Sequence, residues 1–239
     1  MKIGLIGKNI GYSKSKEIFE TTYGCQYDVF DIEPQQLSET IYFMKNNGYS
    51  GFNITKPYKS DIIKFLDNDT YGINSVNCVK FQNNQMIGRS FDGIALLDSI
   101  YENNVVRQNL TQWKYLTVAI IGNGGVVPSI LEAFRGCFTY IYARNQKEFN
   151  KSLLIIKQDT IENFHLGYFD IVINTIPHEA NINLDLKQKT LRNFVFVDLN
   201  YTDWTHINNA RENPKCIHAM NGYRMLEKNA ELTYDFLKG

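Results

Sequence analysis

Apolar runs rich in Ile, Val, Phe and Tyr alternate along the chain with stretches whose apolar residues recur at helical spacing. This alternation is typical of α/β units built around a largely parallel sheet. In the first half of the chain it predicts, in order, strand Lys2–Gly7, a helix to about Tyr23, strand Tyr27–Ile32, helix Pro34–Asn47, strand Ser50–Ile54, helix Pro57–Leu66, strands Val76–Gln82 and Gln85–Arg89 joined by the turn Asn83-Asn84, and helix Asp92–Tyr101.

The helical pattern is lost between Glu102 and Leu116, and we place a domain boundary in this segment. Beyond it the pattern predicts strand Thr117–Gly122, helix Val126–Phe134, strands Phe138–Ala143, Ile171–Asn174, Phe194–Asp198 and Cys216–Met220, and a final helix Gly222–Leu237. The second half is therefore predicted to form a doubly wound α/β domain.

Composition and charge exclude several classes of protein. The chain has 239 residues, 44% of them hydrophobic, which suffices for one large or two modest cores. Because 25 basic residues balance 25 acidic ones, we expect neither nucleic acid nor a membrane surface as a partner. The first apolar run is too short for a signal peptide, and no later run reaches membrane-spanning length. The 4 cysteines are scattered without a Cys-x-x-Cys pair, which argues against a metal site or disulfides and favours the reducing cytoplasm.

The segment Gly51–Lys59 concentrates polar groups at the end of a predicted strand. It contains the amide of Asn53, the hydroxyl of Thr55 and two lysines, of which Lys59 is the second. Pro57 fixes its own φ and disfavours a helical conformation for the residue before it, so the strand must end and turn here. Pro57 also suits the first turn of a following helix, which would place Lys59 in that turn. Taken alone, the segment is either a binding loop or an ordinary connection.

A glycine-rich turn connects the first strand of the second half to its helix. Its residues are Gly122, Asn123, Gly124, Gly125 and Val126. Gly122 permits the tight turn, and Gly124 lets the backbone approach a pyrophosphate, whose charge the helix N-terminus favours. Since Val127 stands where the third glycine of the dinucleotide fingerprint is usual, the pattern alone leaves a purely structural turn open.

The end of the next strand indicates which nucleotide this turn would bind. That strand ends in Ala143, Arg144 and Asn145, with Lys147 close behind. An NAD-binding protein has a carboxylate at this point, about 20 residues after the glycines, to hold the ribose hydroxyls. A cation without a carboxylate favours a ribose 2′-phosphate, so we predict NADP(H), with a solvated Arg144 as the alternative.

A third loop, Asn174-Thr175-Ile176-Pro177, ends another strand at the same predicted carboxyl edge. Ligands of open α/β sheets bind at that edge, so the loop either lines the nicotinamide or simply turns the chain at Pro177.

Short motifs along nearly the whole chain follow the order found in the shikimate dehydrogenase family, which this sequence resembles. They are Ser13-Lys14-Ser15, Gly51–Lys59, Asn74–Cys78, the partial match Ser90–Gly93, Gly122–Gly125, Ala143–Asn145, Asn174–Pro177, Asp198–Tyr201 and Gly222–Leu226. No single motif is decisive, but this number in register is specific to the family.

The resemblance implies reversible reduction of 3-dehydroshikimate to shikimate by NADPH, a step of the shikimate pathway toward chorismate and the aromatic amino acids. It implies an N-terminal α/β substrate domain with a mostly parallel sheet (residues 1–103, completed by the C-terminal helix 222–239) and a Rossmann-type, doubly wound NADP-binding domain (residues 104–221). The last helix should pack back on the first domain, and substrate and nicotinamide should meet between the domains. The expected partners are the small-molecule substrate and the nucleotide, and a homodimer stays open.

The resemblance also implies roles for individual residues. Lys59 is the expected acid/base, because hydride transfer to a ketone creates an alkoxide that needs a proton and a nearby positive charge. Asp92 is expected to orient Lys59, with the alternative that it only caps the following helix. The expected substrate contacts are Ser13, Ser15, Asn53, Thr55, Asn77, Tyr201 and Asn229. The expected cofactor contacts are Gly122, Asn123, Gly124, Gly125, Val126, Ala143, Arg144, Asn145, Lys147, Asn174, Thr175 and Gly222.

Several positions depart from the family pattern. Near the substrate, Lys16 replaces the family's proline, Phe19 its histidine and Ser90-Phe91 its Asn-Thr pair. Asn229 replaces the glutamine of the last helix, and Pro128 replaces the arginine after the glycine-rich turn. We expect Ser90, Phe91 and Asn229 to line one pocket and to change its shape together. Quinate, which has the same ring carboxylate and neighbouring hydroxyls, is therefore the alternative substrate.

Two further alternatives come from other functional classes. One is a catalytically silent family member that binds nucleotide or metabolite, but a silent site has no need of both Lys59 and Asp92. The other is a different two-domain NADP enzyme, such as a folate-linked dehydrogenase, which leaves Ser13 and Ser15 unexplained.

Overall fold

Two units make up the chain in this computed structural model, which describes residues 1–68, 74–149 and 155–239. The first unit comprises residues 1–95 and 226–239, and the second residues 96–225. The α-helices of the described ranges are α1 Ser15–Tyr23, α2 Leu37–Asn46, α3 Asp92–Tyr101, α4 Asn104–Asn109, α5 Val127–Ala133, α6 Thr205–Arg211 and α7 Tyr223–Lys238. The strands are β1 Lys2–Gly7, β2 Gln26–Asp31, β3 Gly51–Ile54, β4 Cys78–Gln82, β5 Gln85–Arg89, β6 Thr117–Ile121, β7 Phe138–Tyr142, β8 Ile155–Asp159, β9 Ile171–Asn174, β10 Phe194–Asp198 and β11 Cys216–Asn221. Short 3₁₀ helices cover Pro34–Gln36, Asp61–Phe65, Trp113–Tyr115, Ile161–Asn163 and His178–Ala180.

The sheet of the first unit is mixed, with the described strands in the order β2-β1-β3-β4-β5. β1 pairs in parallel with β2 and β3, whereas β4 is antiparallel to both β3 and β5. The β4–β5 hairpin turns at Asn83 and Asn84, which have φ values of 51° and 64°. A two-residue hairpin turn of the favoured kind needs positive φ at both positions, and asparagine tolerates this, so the predicted hairpin is confirmed.

Successive side chains of β1 point to opposite faces of the sheet, so the core of the first unit has two layers. Ile3 and Leu5 pack with α1 and with residues of α7 such as Leu237, whereas Ile6 packs with α2 on the other face. This is the period-two pattern of a strand that is buried on both faces. The C-terminal part of α7 therefore packs on the sheet of the first unit, as predicted.

The sheet of the second unit is parallel at every described pairing, in the order β11-β10-β9-β6-β7-β8. The chain runs from β6 outward through β7 to β8, and then returns to add β9, β10 and β11 on the opposite side of β6. This reversal of direction between β6 and β9 is the switch point of a doubly wound Rossmann-type fold. The fold class predicted for the second half is confirmed.

Several local predictions were wrong. The predicted helix Pro57–Leu66 is instead a turn followed by the 3₁₀ helix Asp61–Phe65, so Lys59 lies before the helix and not in its first turn. An α-helix cannot form here because the Lys59 carbonyl, which the Ile63 N–H would need, accepts instead from the Val76 N–H at 2.9 Å. The Ile63 N–H therefore donates to the Ser60 carbonyl at 3.3 Å, which is the spacing of a 3₁₀ helix. The prediction also missed α4, α6 and β8.

Within the described residues, none of the helices combines the length and the apolar character that crossing a membrane requires. The same residues contain no group of histidine, cysteine and acidic side chains that could hold a metal ion. All the cysteines are unpaired thiols, and burial raises the pKa values of Cys78 and Cys137 to about 12.

Candidate active site

Polar residues that are distant in the sequence, from Ser13 to Asp92, lie in segments at one edge of the first sheet. β1, β3 and β5 all end at this edge, and β4 begins there because it runs antiparallel to β3 and β5. The segments at this edge therefore include the serine loop after β1, Thr55 after β3, Asn77 before β4 and Asp92 after β5. A hydrogen bond from the Ile54 N–H to the Asn77 carbonyl, 2.9 Å long, joins two of these segments.

Lys59 and Asp92 form an ion pair in this region. Lys59 Nζ lies 2.6 Å from Asp92 Oδ2, and the two side chains are only 15% and 8% exposed. The other carboxylate oxygen, Oδ1, accepts hydrogen bonds from the amides of Asn77 and Asn229, each 3.0 Å long. The Asn77 amide is itself oriented, because its Oδ1 accepts from the Phe91 N–H at 2.8 Å. Three donors thus hold one buried carboxylate in place.

Asn53 takes part in a second polar group, with two residues that the sequence analysis missed. The Tyr27 hydroxyl donates to Asn53 Oδ1 at 3.0 Å, and burial raises the pKa of Tyr27, which keeps the phenol protonated. Asn53 Nδ2 donates to Thr233 Oγ1 at 3.2 Å and to the Asn77 carbonyl at 3.3 Å. Thr233 lies one helical turn after Asn229, so the i, i+4 spacing on α7 was the signal that could have revealed it.

A pocket opens among these groups in the first unit. It is lined by Leu5, Ser15, Phe19, Asn53, Ile54, Thr55, Lys59, Asn77, Asp92, Leu226, Asn229 and Ala230. Ser13 is not in this lining, but its hydroxyl donates to the Ser15 hydroxyl at 3.2 Å. Phe19 stands where the family has histidine, and its ring stacks on that of Tyr27 with centroids 4.8 Å apart.

The sequence predicted that three departures from the family pattern line the substrate pocket, but only one of them is in the lining described above. Of Ser90, Phe91 and Asn229, only Asn229 is among the described residues that line the pocket. Phe91 packs instead in the core, where its ring meets Phe236 edge-on at 5.6 Å. The Phe91 backbone N–H donates to Asn77 Oδ1, whereas its ring packs with apolar residues of the first unit.

Tyr201, the remaining residue expected to contact substrate, belongs to the second unit. It follows β10 and is partly buried, with its ring centroid 6.5 Å from that of Tyr223.

In the second unit, the predicted cofactor residues follow the carboxyl ends of neighbouring parallel strands. Gly122 follows β6, Ala143 follows β7 and Thr175 follows β9, and these ends are in register because Ile121 is paired with both Tyr142 and Asn174. Gly222 follows β11. The expected nucleotide residues therefore share one edge of the sheet, around its switch point.

Direct contacts join the glycine-rich turn to the loop after β7. Lys147 Nζ donates to the Asn123 carbonyl at 2.8 Å, and the Asn123 amide donates to the Asn145 carbonyl. Arg144 is exposed, and its side chain has no hydrogen-bond or ion-pair partner within the described residues.

The residues at this edge fit a phosphorylated dinucleotide. Gly122 has φ of +105°, and a Cβ there would collide with the Thr175 hydroxyl. A Cβ on Gly124, in contrast, would meet no atom within 4 Å, so the space beside its backbone is open to a ligand. Open space at the glycine, the start of α5 beside it and an arginine that has no partner among the described residues suit a pyrophosphate and a ribose phosphate. Pro128, near the start of α5, offers no N–H to such a ligand.

A buried hydrogen-bonded network fixes the loop that follows β9. Asn174 is fully buried, and its Nδ2 donates to Asp198 Oδ1 at 3.1 Å while its Oδ1 accepts from the Ile176 N–H at 3.1 Å. Asp198 Oδ2 lies 3.1 Å from His206 Nδ1, and this hydrogen bond raises the pKa of His206. The predicted cofactor residues Asn174 and Thr175 therefore lie on a rigid segment, with the Thr175 hydroxyl donating to the Ile121 carbonyl at 2.9 Å.

Gly222 permits a close approach of two backbone segments. A Cβ at this position would collide with the carbonyl oxygen, carbonyl carbon and Cα of Leu199, and the Gly222 N–H donates to the Asn200 carbonyl at 3.3 Å. Only glycine fits here without movement of the backbone.

The chain is similar to known proteins along most of its length. Residues 5–79 match the family model described as the shikimate dehydrogenase substrate binding domain. The shikimate dehydrogenase (NADP(+)) of Clostridium botulinum strain 657 is 31% identical over 93% of this chain and 91% of its own length. The protein of the same name from Methanococcus aeolicus is 28% identical over 99% and 91%. Among solved structures, shikimate 5-dehydrogenase from Thermus thermophilus in complex with shikimate shares the fold, with a TM-score of 0.76 over 100% of this chain and 93% of that one, at 17% identity. The extent and identity of the match to the clostridial relative show that this chain belongs to the shikimate dehydrogenase family.

Proposed function

We propose that the protein is an NADP-dependent oxidoreductase that reversibly reduces 3-dehydroshikimate to shikimate, a step toward chorismate. The observation that carries this proposal is the Lys59–Asp92 ion pair, which lies in a pocket otherwise rich in hydroxyl and amide groups. In the balanced reaction, 3-dehydroshikimate, NADPH and a proton give shikimate and NADP⁺. The protein must therefore handle one proton at the reacting oxygen.

Lys59 performs this proton transfer. NADPH, when bound, supplies the hydride that adds to the ketone carbon. As negative charge develops on the oxygen, the Lys59 ammonium stabilises it and donates a proton to it. In the reverse direction the neutral amine accepts the proton of the shikimate hydroxyl. Asp92 restricts Lys59 Nζ to one position through the 2.6 Å contact, which keeps the donor oriented for the reaction.

The remaining polar groups of the first unit bind the substrate. The hydroxyls of Ser13 and Ser15 suit the ring carboxylate, because each can donate a hydrogen bond to it. Asn53, Thr55 and Asn77 supply donors and acceptors for ring hydroxyls. Tyr201 and Asn229 complete the set of proposed substrate contacts.

NADP(H) binds to the second unit in this proposal. The turn Gly122–Val126 binds the pyrophosphate, and Arg144, supported by Ala143, Asn145 and Lys147, binds the ribose 2′-phosphate. Asn174, Thr175 and Gly222 supply the further cofactor contacts. Residues 1–103 with 222–239 then serve as the substrate-binding catalytic domain, and residues 104–221 as the NADP-binding domain.

The test is the reduction of NADP⁺, followed by the absorbance of NADPH, with shikimate, with quinate and without an acid. We expect turnover with shikimate to be fastest, and to be faster with NADP⁺ than with NAD⁺. Faster turnover of quinate would change the substrate assigned here. Failure to turn over either acid, by protein that is folded and binds NADP⁺, would refute the proposed activity.

A further inference from the structure

Thr233 connects two residues of the proposed substrate site without lining the pocket itself. It lies on α7 with 0% of its surface exposed. Its Oγ1 accepts from Asn53 Nδ2 at 3.2 Å and donates to Asn229 Oδ1 at 3.4 Å. Asn229 Nδ2 in turn donates to Asp92 Oδ1. A continuous series of hydrogen bonds therefore joins Asn53 to the carboxylate that holds Lys59.

The Asp92 carboxylate, at the end of this series, determines which group donates and which accepts in every hydrogen bond. An ionised carboxylate can only accept, so Asn229 must turn its NH₂ group to Asp92 and its carbonyl oxygen to Thr233. Thr233 must then donate its one hydroxyl hydrogen to Asn229 and accept from Asn53 Nδ2. Asn53 Oδ1 is left to accept from the Tyr27 hydroxyl, as observed at 3.0 Å. The five side chains are thus satisfied in a single orientation.

The neighbouring thiol does not compete for the hydroxyl hydrogen. Cys78 lies next to Thr233 and is fully buried, and burial raises its pKa to about 12. The thiol is therefore protonated at neutral pH, and because the sulfur of a neutral thiol is only a weak acceptor, the carbonyl oxygen of Asn229 is the better partner for the hydroxyl hydrogen of Thr233.

The two side-chain amides that donate to Asp92 Oδ1 are held in place by different groups. Asn77 is held by the backbone N–H of Phe91, whereas Asn229 is held by the Thr233 side chain. Without the Thr233 hydroxyl, Asn229 Oδ1 would lose its partner, and only the carboxylate would orient the amide. An amide that is held at one end instead of two has more freedom to move, so the carboxylate and the ammonium paired with it are held less firmly.

We propose that Thr233 is a positioning residue for the Lys59–Asp92 pair and acts through the amide of Asn229. This inference rests on the proposed dehydrogenase function. It assigns to Asn229 the orientation of Asp92, in addition to its place in the pocket lining.

The test compares Thr233→Val, which removes the hydroxyl at nearly constant shape, with Thr233→Ser, which retains it. We expect Thr233→Val to lower kcat about tenfold, the size associated with one lost hydrogen bond, with the KM for shikimate changed by less than about twofold. Thr233→Ser should stay within about twofold of the parent protein in both constants. In a background of Asn229→Ala, the further change Thr233→Val should lower kcat much less than it does in the parent protein, because the residue that links Thr233 to Asp92 is gone and only its contact with Asn53 remains.

A readout that does not depend on turnover accompanies the kinetics. The side-chain amide signals of Asn229 in an ¹⁵N-correlated spectrum, identified by their loss in Asn229→Ala, should shift or broaden in Thr233→Val and be retained in Thr233→Ser. Thr233→Ala replaces Thr233→Val if the latter fails to fold in a thermal unfolding assay.

The possible failures can be told apart. Equal kcat for active Thr233→Val and Thr233→Ser, or an undiminished effect of Thr233→Val in the Asn229→Ala background, would overturn the role of Thr233 and leave the proposed function intact. Absence of turnover in the parent protein would instead overturn the proposed function, and the catalytic role of Thr233 with it.

Discussion

Lys59 Nζ lies 2.6 Å from Asp92 Oδ2, and that carboxylate is held from its other side by the amides of Asn77 and Asn229. The carboxylate therefore fixes the ammonium. An ammonium group has three N–H donors, and the described hydrogen bonds of Lys59 use one of them. The others are available to a ligand in the pocket that Lys59 lines.

We predict that Lys59→Ala lowers kcat by at least about 100-fold while changing the KM for shikimate by only a few-fold, since general acid–base catalysis contributes about 10²–10⁴ in rate. Steady-state kinetics with shikimate and NADP⁺ measure this directly. A loss of turnover smaller than about threefold would rule out Lys59 as the acid/base.

Lys8→Ala is the matched control for that variant. Lys8 also pairs with a carboxylate, Glu33, at 2.7 Å, but on the surface. Its removal should leave both constants unchanged. Thermal unfolding of both variants separates catalysis from stability, because removing one partner of a buried ion pair such as Lys59–Asp92 is itself destabilising.

The sequence located the polar residues of this site, but not the hydrogen bonds among them. Asn53, Asn77 and Asp92 could be assigned because each lies within a short motif. Thr233 and Tyr27 belong to no motif, and only the pairing of β2, β1 and β3 and the packing of α7 bring them to Asn53. The i, i+4 spacing relates Thr233 to Asn229, but its contact with Asn53, 180 positions away, has no local signal.

Two glycines allow the cofactor site to be tested apart from stability. Gly124→Ala should leave thermal unfolding unchanged, because its Cβ meets no atom within 4 Å, yet it should weaken NADPH binding about tenfold or more by occupying the space proposed for the pyrophosphate. Fluorescence titration with NADPH measures the affinity. If Gly124→Ala binds NADPH as tightly as the parent protein, the pyrophosphate does not lie at this turn.

Gly222→Ala provides the contrasting case. Its Cβ would collide with backbone atoms of Leu199, so the chain must shift. We predict a loss of about 1–3 kcal/mol in the free energy of unfolding, the usual cost of inserting a group into well-packed structure. Denaturant unfolding measures it, and an unchanged midpoint would show that the segment around Leu199 yields easily.

Strands and helices were predicted well where the local pattern and the tertiary environment agree. β1, β5, β9, β10 and α3 begin and end at the predicted residues. α6 was missed because its sequence THINNAR contains threonine and two asparagines, which are poor helix formers. The helix is stabilised instead by tertiary packing, since Ile207 and Ala210 are fully buried in the core of the second unit.

A similar case is α4, which lies in the segment where the helical pattern is lost. Asn103 caps this helix by accepting from the N–H groups of Val105 and Val106. The cap was a readable signal, because asparagine is favoured at this position, but a helix of 6 residues offers too few turns to show periodicity.

Arg144 should determine the preference for NADPH over NADH. Because it is exposed and has no described partner, a ribose 2′-phosphate would gain a charge-assisted contact there without breaking another. We predict that Arg144→Ala raises the KM for NADPH about 10- to 100-fold and leaves the KM for NADH within about twofold, as expected from the loss of one charged hydrogen bond.

Arg135→Ala serves as the control for this experiment. Arg135 is also exposed and belongs to the same unit, but its guanidinium is paired with Glu132. It should not alter the preference. If Arg144→Ala affects both nucleotides equally, Arg144 does not recognise the 2′-phosphate.

His206 couples the stability of the second unit to pH. Its Nδ1 lies 3.1 Å from Asp198 Oδ2, and its Nε2 lies 3.1 Å from the Ile182 carbonyl. The hydrogen bond to Asp198 is the main cause that raises the pKa of His206 above its ordinary value, the Asp203 carboxylate adds to it in the same direction, and partial burial opposes it. The folded protein therefore binds the histidine proton more tightly than the unfolded chain does.

A raised pKa in the folded state contributes stability that is complete below the unfolded pKa, about 6.5, and is lost as pH rises through the folded pKa. His206→Asn retains a donor near Asp198 but cannot be protonated. We therefore predict that the difference in unfolding free energy between the parent protein and His206→Asn is larger at about pH 5.5 than at about pH 9. Denaturant unfolding at both pH values measures it, with the exposed His165→Asn as control. A difference that does not change with pH would mean that the Asp198–His206 hydrogen bond does not depend on protonation of the imidazole, and that Asp198 holds Asn174 equally well beside a neutral ring.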